Sequence, residues 1–171
     1  MLKSPILSNN KIFKDKRGFF QEIFKKTNIN FKLFIKFTAM SYSKKNVIRG
    51  LHFQKKNKQT KIITIIKGKV LDICVNLKKT SKNFGKIYKF ILTPGKVLII
   101  PNYYAHGFEC LSNEAYLLYH LDNYRDKINE SGILFNDKNL KIKWKTKSPI
   151  ISKRDKKLMS FKNFKDTVKT L

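Results

Sequence analysis

Through the middle of the chain, short runs of β-branched and apolar residues alternate with turn-forming residues. GKVLDICVNL begins at Gly68, KIYKFIL follows the turn-like SKNFG, and TPGKVLIIP has a Pro94-Gly95 turn that feeds another short strand. EAYLLYHL, from Glu114, makes one more. Short strands at close spacing, with no helical stretch between them, predict an all-β barrel or sandwich. From Ser152 the period changes. Leu158, Phe161, Phe164 or Lys165, Val168 and Leu171 follow helical spacing, and SKRD supplies a Ser-x-x-Asp capping signal. An amphipathic helical segment over about 152–171 is therefore expected to lie on the barrel.

Strand alternation also assigns side chains to faces. In EAYLLYHL, Ala115, Leu117, Tyr119 and Leu121 share one face, and Tyr116, Leu118 and His120 the other. Tyr119 thus points into apolar surroundings. In VIRGLHFQ, a regular strand sets Ile48, Gly50, His52 and Gln54 against Arg49, Leu51 and Phe53. If Arg49 and His52 serve one site, the strand must bend or bulge, and Gly50 is the residue that permits it.

No repeat, low-complexity tract or linker interrupts the 171 residues, so a single domain over 1–171 is expected, with its core over about 12–155. A hydrophobic content of 42%, with 14 Phe and 7 Tyr, suffices for a core. Cys74 and Cys110 sit apart in apolar stretches and read as reduced packing residues. The N-terminal MLKSPILSNNKIF lacks a signal-peptide run, and no segment approaches the ~20 apolar residues of a membrane span. A cytoplasmic protein without a membrane partner is the expectation.

A net charge of +27 invites a nucleic-acid or membrane-surface reading. Lysine, however, is scattered over nearly every segment beside abundant Ile, Asn and Phe, which fits a bias toward AT-rich codons. No nucleic-acid partner is expected on that ground. Arginine is scarce: Arg17, Arg49, Arg125 and Arg154. Its planar fork suits carboxylate or phosphate, so these positions are candidates for anion contacts.

The three histidines are His52, His106 and His120. A histidine in a strand is often a hydrogen-bonded structural residue, and His106, in PNYYAHGFEC, reads equally as a turn histidine or as part of a barrel mouth. A cupin-type metal site places two histidines one residue apart with a glutamate a few residues on. Here the pair is His52 and Gln54, followed by Gln59 and Lys61, and a lysine is a poor neighbour for a cation. Neither metal nor cofactor is expected. Acid–base chemistry beside a carbonyl remains, with a near-neutral base, a cation for the enolate and an acid to return the proton.

The segments FKDKRGFFQEIF, SKKNVIRGLHFQ, QTKIITIIKGKVLDICVNLKKTSKNFGK, LIIPNYYAHGFECLS, AYLLYHLDNY, ESGILFNDKNLKIKW and SKRD occur in that order from about Ile12 to Asp155. In this the chain resembles the dTDP-4-dehydrorhamnose 3,5-epimerases, cupin-fold enzymes of dTDP-L-rhamnose biosynthesis. The resemblance implies a cupin-type jelly-roll barrel and a nucleotide-sugar epimerase of cell-surface polysaccharide, lipopolysaccharide or O-antigen synthesis. It implies His52 as general base, Asp155 as its orienting partner, Tyr119 as acid and Lys61 near the C4 oxygen. His106, Arg17, Glu22, Arg49, Glu130 and Arg154 match substrate-binding positions, and Tyr124 is a stacking platform for the base. The family's homodimers with exchanged N-terminal strands imply a homodimer here. One departure stands out: the usual Gln-x-Asn segment reads Phe37 and Ala39, two apolar residues in polar places. That leaves a single-carbon epimerase of a related keto-sugar as an alternative, and a non-catalytic sugar-nucleotide-binding cupin as another.

Overall fold

The computed structural model describes residues 2–25 and 33–168. Each strand-forming run becomes a strand: β1 (Ile6–Asn9), β2 (Ile12–Asp15), β3 (Gly18–Gln21), β4 (Phe37–Lys44), β5 (Ile48–Gln54) and β6 (Lys61–Lys67). They continue as β7 (Val70–Asn76), β8 (Ile87–Leu92), β9 (Lys96–Ile100), β10 (Tyr104–Cys110), β11 (Glu114–Leu121) and β12 (Glu130–Gly132). Two five-stranded antiparallel sheets result, ordered β1-β9-β6-β11-β4 and β12-β5-β10-β7-β8. The architecture is the expected cupin-type jelly roll.

Between the sheets lies a core to which both contribute: Ile63, Leu98 and Leu117 from the first, Val70, Tyr104 and Phe108 from the second. The outer face of the second sheet is covered too, with Leu51, Ile73 and Val75 packed against Phe161, Phe164 and Leu140. This double cover explains β7, in which every residue is buried and hydrophobic alternation is absent. A strand wetted on one face alternates; one buried on both does not.

The helical expectation for 152–171 needs correction. The segment holds a 3-10 turn at Asp155–Lys157 and a helix α1 at Phe161–Thr167, separated by extended backbone at Leu158 and a bridge from Met159 to Ile133. Ser160 is the helix cap, its hydroxyl accepting from Asn163 N–H at 3.1 Å. Apolar Leu158 and Phe161 fit helical spacing by coincidence of two separate burials, and Leu171 lies outside the described residues.

The bend expected at Gly50 is present. β10 pairs with β5 through His106–His52 and Phe108–Arg49, so three steps on β5 span two on β10. Gly50 has φ +119°, and a Cβ there would lie 2.6 Å from the Cα of Gly107. A side chain at either glycine would separate the strands, so the close approach and the bulge depend on both. The result brings Arg49 and His52 to the same cavity.

Among the described residues, apolar side chains stay exposed on several elements. The β2–β3 hairpin exposes Phe13, Phe19 and Phe20, and edge strand β4 exposes Met40 and Tyr42.

Candidate active site

A cavity of about 660 Å³ opens between the sheets. His52 on β5 and His106 on β10 are direct cross-strand partners on its wall. His52 Nε2 lies 2.8 Å from Asp155 Oδ1, while Gly50 N–H donates to Asp155 Oδ2 at 3.1 Å. The 3-10 turn delivers that carboxylate, its own N–H anchored on Ser152 Oγ at 3.0 Å. Burial alone would push the Asp155 carboxyl up. The hydrogen bond and charge of His52, with Gly50 and Ser152, outweigh it and hold the group below its ordinary value.

A second pair lies deeper. His106 Nε2 meets Asp72 Oδ2 at 2.7 Å, both side chains almost wholly enclosed, and the Cys74 thiol donates to Asp72 Oδ1 at 3.5 Å. Sequence reasoning passed over Asp72. The signal was a carboxylate inside VLDICV, because a charge in a fully buried strand demands a partner. In both pairs one imidazole nitrogen is committed to a carboxylate, which fixes the ring's orientation.

Lys61 begins β6 on the opposite sheet and lines the cavity. Burial pulls its ammonium below the ordinary lysine value, while Cys74, Glu130, Asp72 and Asp122 act the other way. Tyr119 stands on the inward face of β11, as alternation predicts, flanked by buried Leu117 and Leu121. Its hydroxyl is 3.0 Å from Ser41 Oγ. Burial raises the phenol well above its ordinary value and Asp72 adds to this; Ser41 and Arg49 oppose it.

Three arginines rim the cavity: Arg49, Arg125 and Arg154. Arg49 is held by Nε donating to Ser43 Oγ at 2.9 Å and Nη2 donating to the Tyr42 carbonyl at 2.8 Å. Arg125 and Arg154 converge on Glu130 Oε2, at 2.7 and 3.2 Å. Burial would raise that carboxyl, but the two guanidinium groups keep it below its ordinary range. Arg125, singled out by scarcity alone, is thus a cavity residue that the family resemblance did not name.

Arg17, Glu22 and Tyr124 fall outside this cavity. Arg17 pairs with Asp15 at the exposed hairpin, at 2.7 Å, and Glu22 contacts Lys11 N–H and Lys25. Tyr124 is 64% exposed. His120 lies on the outer face of β11, beside Thr38 Oγ1 at 3.1 Å and the Phe24 ring. Phe37 and Ala39 do line the cavity, opposite Leu121 and Tyr119 in the β4–β11 register. Among the described residues no group of three or more His, Cys, Asp and Glu forms a metal-ligand cluster. No helix among them is long and apolar enough to cross a membrane.

The sequence profile of the dTDP-4-dehydrorhamnose 3,5-epimerases matches residues 1–163. An enzyme of that description from Shigella flexneri is 38% identical over 157 residues, 85% of this chain and 84% of its own. The crystal structure of one from Bacillus anthracis, with TDP and PPi bound, superposes with a TM-score of 0.86 at 36% identity, covering 91% of this chain and 93% of that one. The crystal structure of dTDP-6-deoxy-D-glucose-3,5-epimerase from Legionella pneumophila, in complex with dTDP-4-keto-L-rhamnose, gives 0.87 at 29% identity, covering 91% of this chain and 87% of that one.

Proposed function

The chain belongs to the dTDP-4-dehydrorhamnose 3,5-epimerase family, and from that premise we propose how its residues divide the reaction. The substrate is dTDP-4-dehydro-6-deoxy-D-glucose and the product dTDP-4-dehydro-L-rhamnose, by inversion at C3 and C5. The 4-keto group acidifies both neighbouring carbons, so one base serves twice if the ring re-seats between steps.

His52 removes the proton. Asp155, on the other side of its ring, orients the imidazole and favours the charge that develops on it. Lys61 faces the C4 oxygen, where a cation in an enclosed site stabilises the enolate. Tyr119 returns a proton from the opposite sheet. Arg49, Arg125 and Arg154 receive the diphosphate, and His106, held by Asp72, contacts the sugar. The observation that carries this reading is one cavity with a carboxylate-oriented histidine on one sheet and a lysine and a tyrosine on the other.

Arg17, Glu22 and Tyr124 enter through a second copy or the nucleotide. An isolated two-stranded hairpin with three exposed phenylalanines is short of cover. Docking it on another subunit hides those rings and brings Arg17 and Glu22 to that subunit's nucleotide, which makes the protein a homodimer. Tyr124, exposed beside the cavity residue Arg125, is free to stack on the base. Under this reading the enzyme works in the cytoplasm, where nucleotide sugars are assembled.

Proton NMR of the reaction in heavy water tests the assignment. Deuterium is expected at both C3 and C5, and His52→Asn is expected to abolish both exchanges while folding normally. Exchange at one carbon would make this a single-carbon epimerase, an outcome that the apolar Phe37 and Ala39 bring into play. Exchange at neither carbon would sink the catalytic reading.

A further inference from the structure

β4 presents Phe37, Ala39, Ser41 and Ser43 to the interior at alternate positions, and two of these are hydroxyls with different tasks. Ser43 holds Arg49. Ser41 lies opposite Leu117 in the register, and Ala39 lies opposite Tyr119. Ala39 therefore offers the tyrosine no hydrogen bond, and the phenol leans diagonally to Ser41, 3.0 Å away. We propose that Ser41 is a positioning residue for proton return, holding the Tyr119 hydroxyl toward the sugar and donating a hydrogen bond to the phenolate that forms. This rests on Tyr119 being the acid.

The step balances without any further reactant. The Tyr119 O–H bond breaks, a C–H bond forms at the sugar carbon, and the C4 carbonyl re-forms from the enolate. The phenolate left behind is enclosed by Leu117 and Leu121, which cannot solvate it. Ser41 is placed to do so, and the direction of its effect on the phenol, downward against burial, agrees. Water re-protonates Tyr119 and takes the proton from His52 between turnovers.

Losing a donor to a buried anion slows proton return but leaves proton removal by His52 intact. The enolate then collapses more often by regaining a proton from His52, which exchanges with solvent. In heavy water, Ser41→Ala should therefore keep near wild-type deuterium exchange into substrate while epimerised product appears roughly ten- to a hundred-fold more slowly. Ser41→Thr, which keeps the hydroxyl, should restore the ratio of epimerisation to exchange. A merely structural serine would lower both rates together, and that result, or an unchanged ratio in Ser41→Ala, overturns the proposal. Tyr119→Phe separates the two ideas. If it loses epimerisation while Ser41→Ala keeps its ratio, only the role of Ser41 fails; if it epimerises at the wild-type rate, the acid assignment itself fails.

Discussion

His52 and Asp155 are 103 positions apart in sequence and 2.8 Å apart in space. The contact closes the second sheet onto the turn that follows the last strand, so it joins the proposed base to the folding of the C-terminal segment. Asp155 binds its proton less readily in the folded protein than in the unfolded chain, because its carboxyl is held below the ordinary value of 3.8. The stability this confers is complete above the ordinary value and is lost as pH falls through the lower, folded one. Urea melts across the acid range should show wild type losing stability more steeply than Asp155→Asn. Turnover in that variant should fall on the order of a hundred-fold or more, since the histidine loses its orienting anion. Parallel acid profiles for the two proteins would refute the linkage.

Lys61 places stability and activity in opposition. Burial disfavours its ammonium, so replacement by methionine removes that cost while filling similar space. Lys61→Met should melt about 2–4 °C higher, equivalent to about 1 kcal/mol, and lose most of its turnover. A variant that melts lower would mean that the nearby carboxylates, not burial, dominate at this position.

Arg125 is read as a diphosphate contact. Arg125→Gln should raise KM about three- to ten-fold with kcat little changed, the pattern of a lost binding interaction. The rise of KM with added salt should also become shallower. An unchanged KM would leave Arg125 only as a partner of Glu130.

The β2–β3 hairpin carries the dimer prediction. Phe19→Ser with Phe20→Ser should halve the mass seen by light scattering and reduce turnover. Arg17→Gln should keep the dimer and raise KM. A monomeric wild-type protein with full activity would remove both the interface and the trans role of Arg17.

How far the chain could be read in advance depended on whether each signal was local. The strands were visible because their apolar runs and turn residues are contiguous, and Tyr119 because two-residue periodicity fixes its face. Gly50 and the bulge followed from asking how Arg49 and His52 could share a site. Ser41 and Ser43 carried no assigned task, since a serine in a strand is ordinary until its partner is known. The break between the 3-10 turn and α1 was hidden for a related reason: Met159 bridges to Ile133, and a buried bridge is as apolar as a helix face. Ser160, a second cap eight residues after Ser152, was the local sign of a new start.

β4 has one neighbour in its sheet, yet five of its residues line or support the cavity. A change at Phe37 or Ala39 meets little resistance, because among the described residues no second strand pairs with β4 on its far side. His52, Asp72 and His106 sit on the largely buried strands β5, β7 and β10 of the other sheet, where almost any change is felt. Evolution can therefore reshape one wall of the cavity by editing a single margin, leaving the histidine-bearing strands of the other sheet as they are.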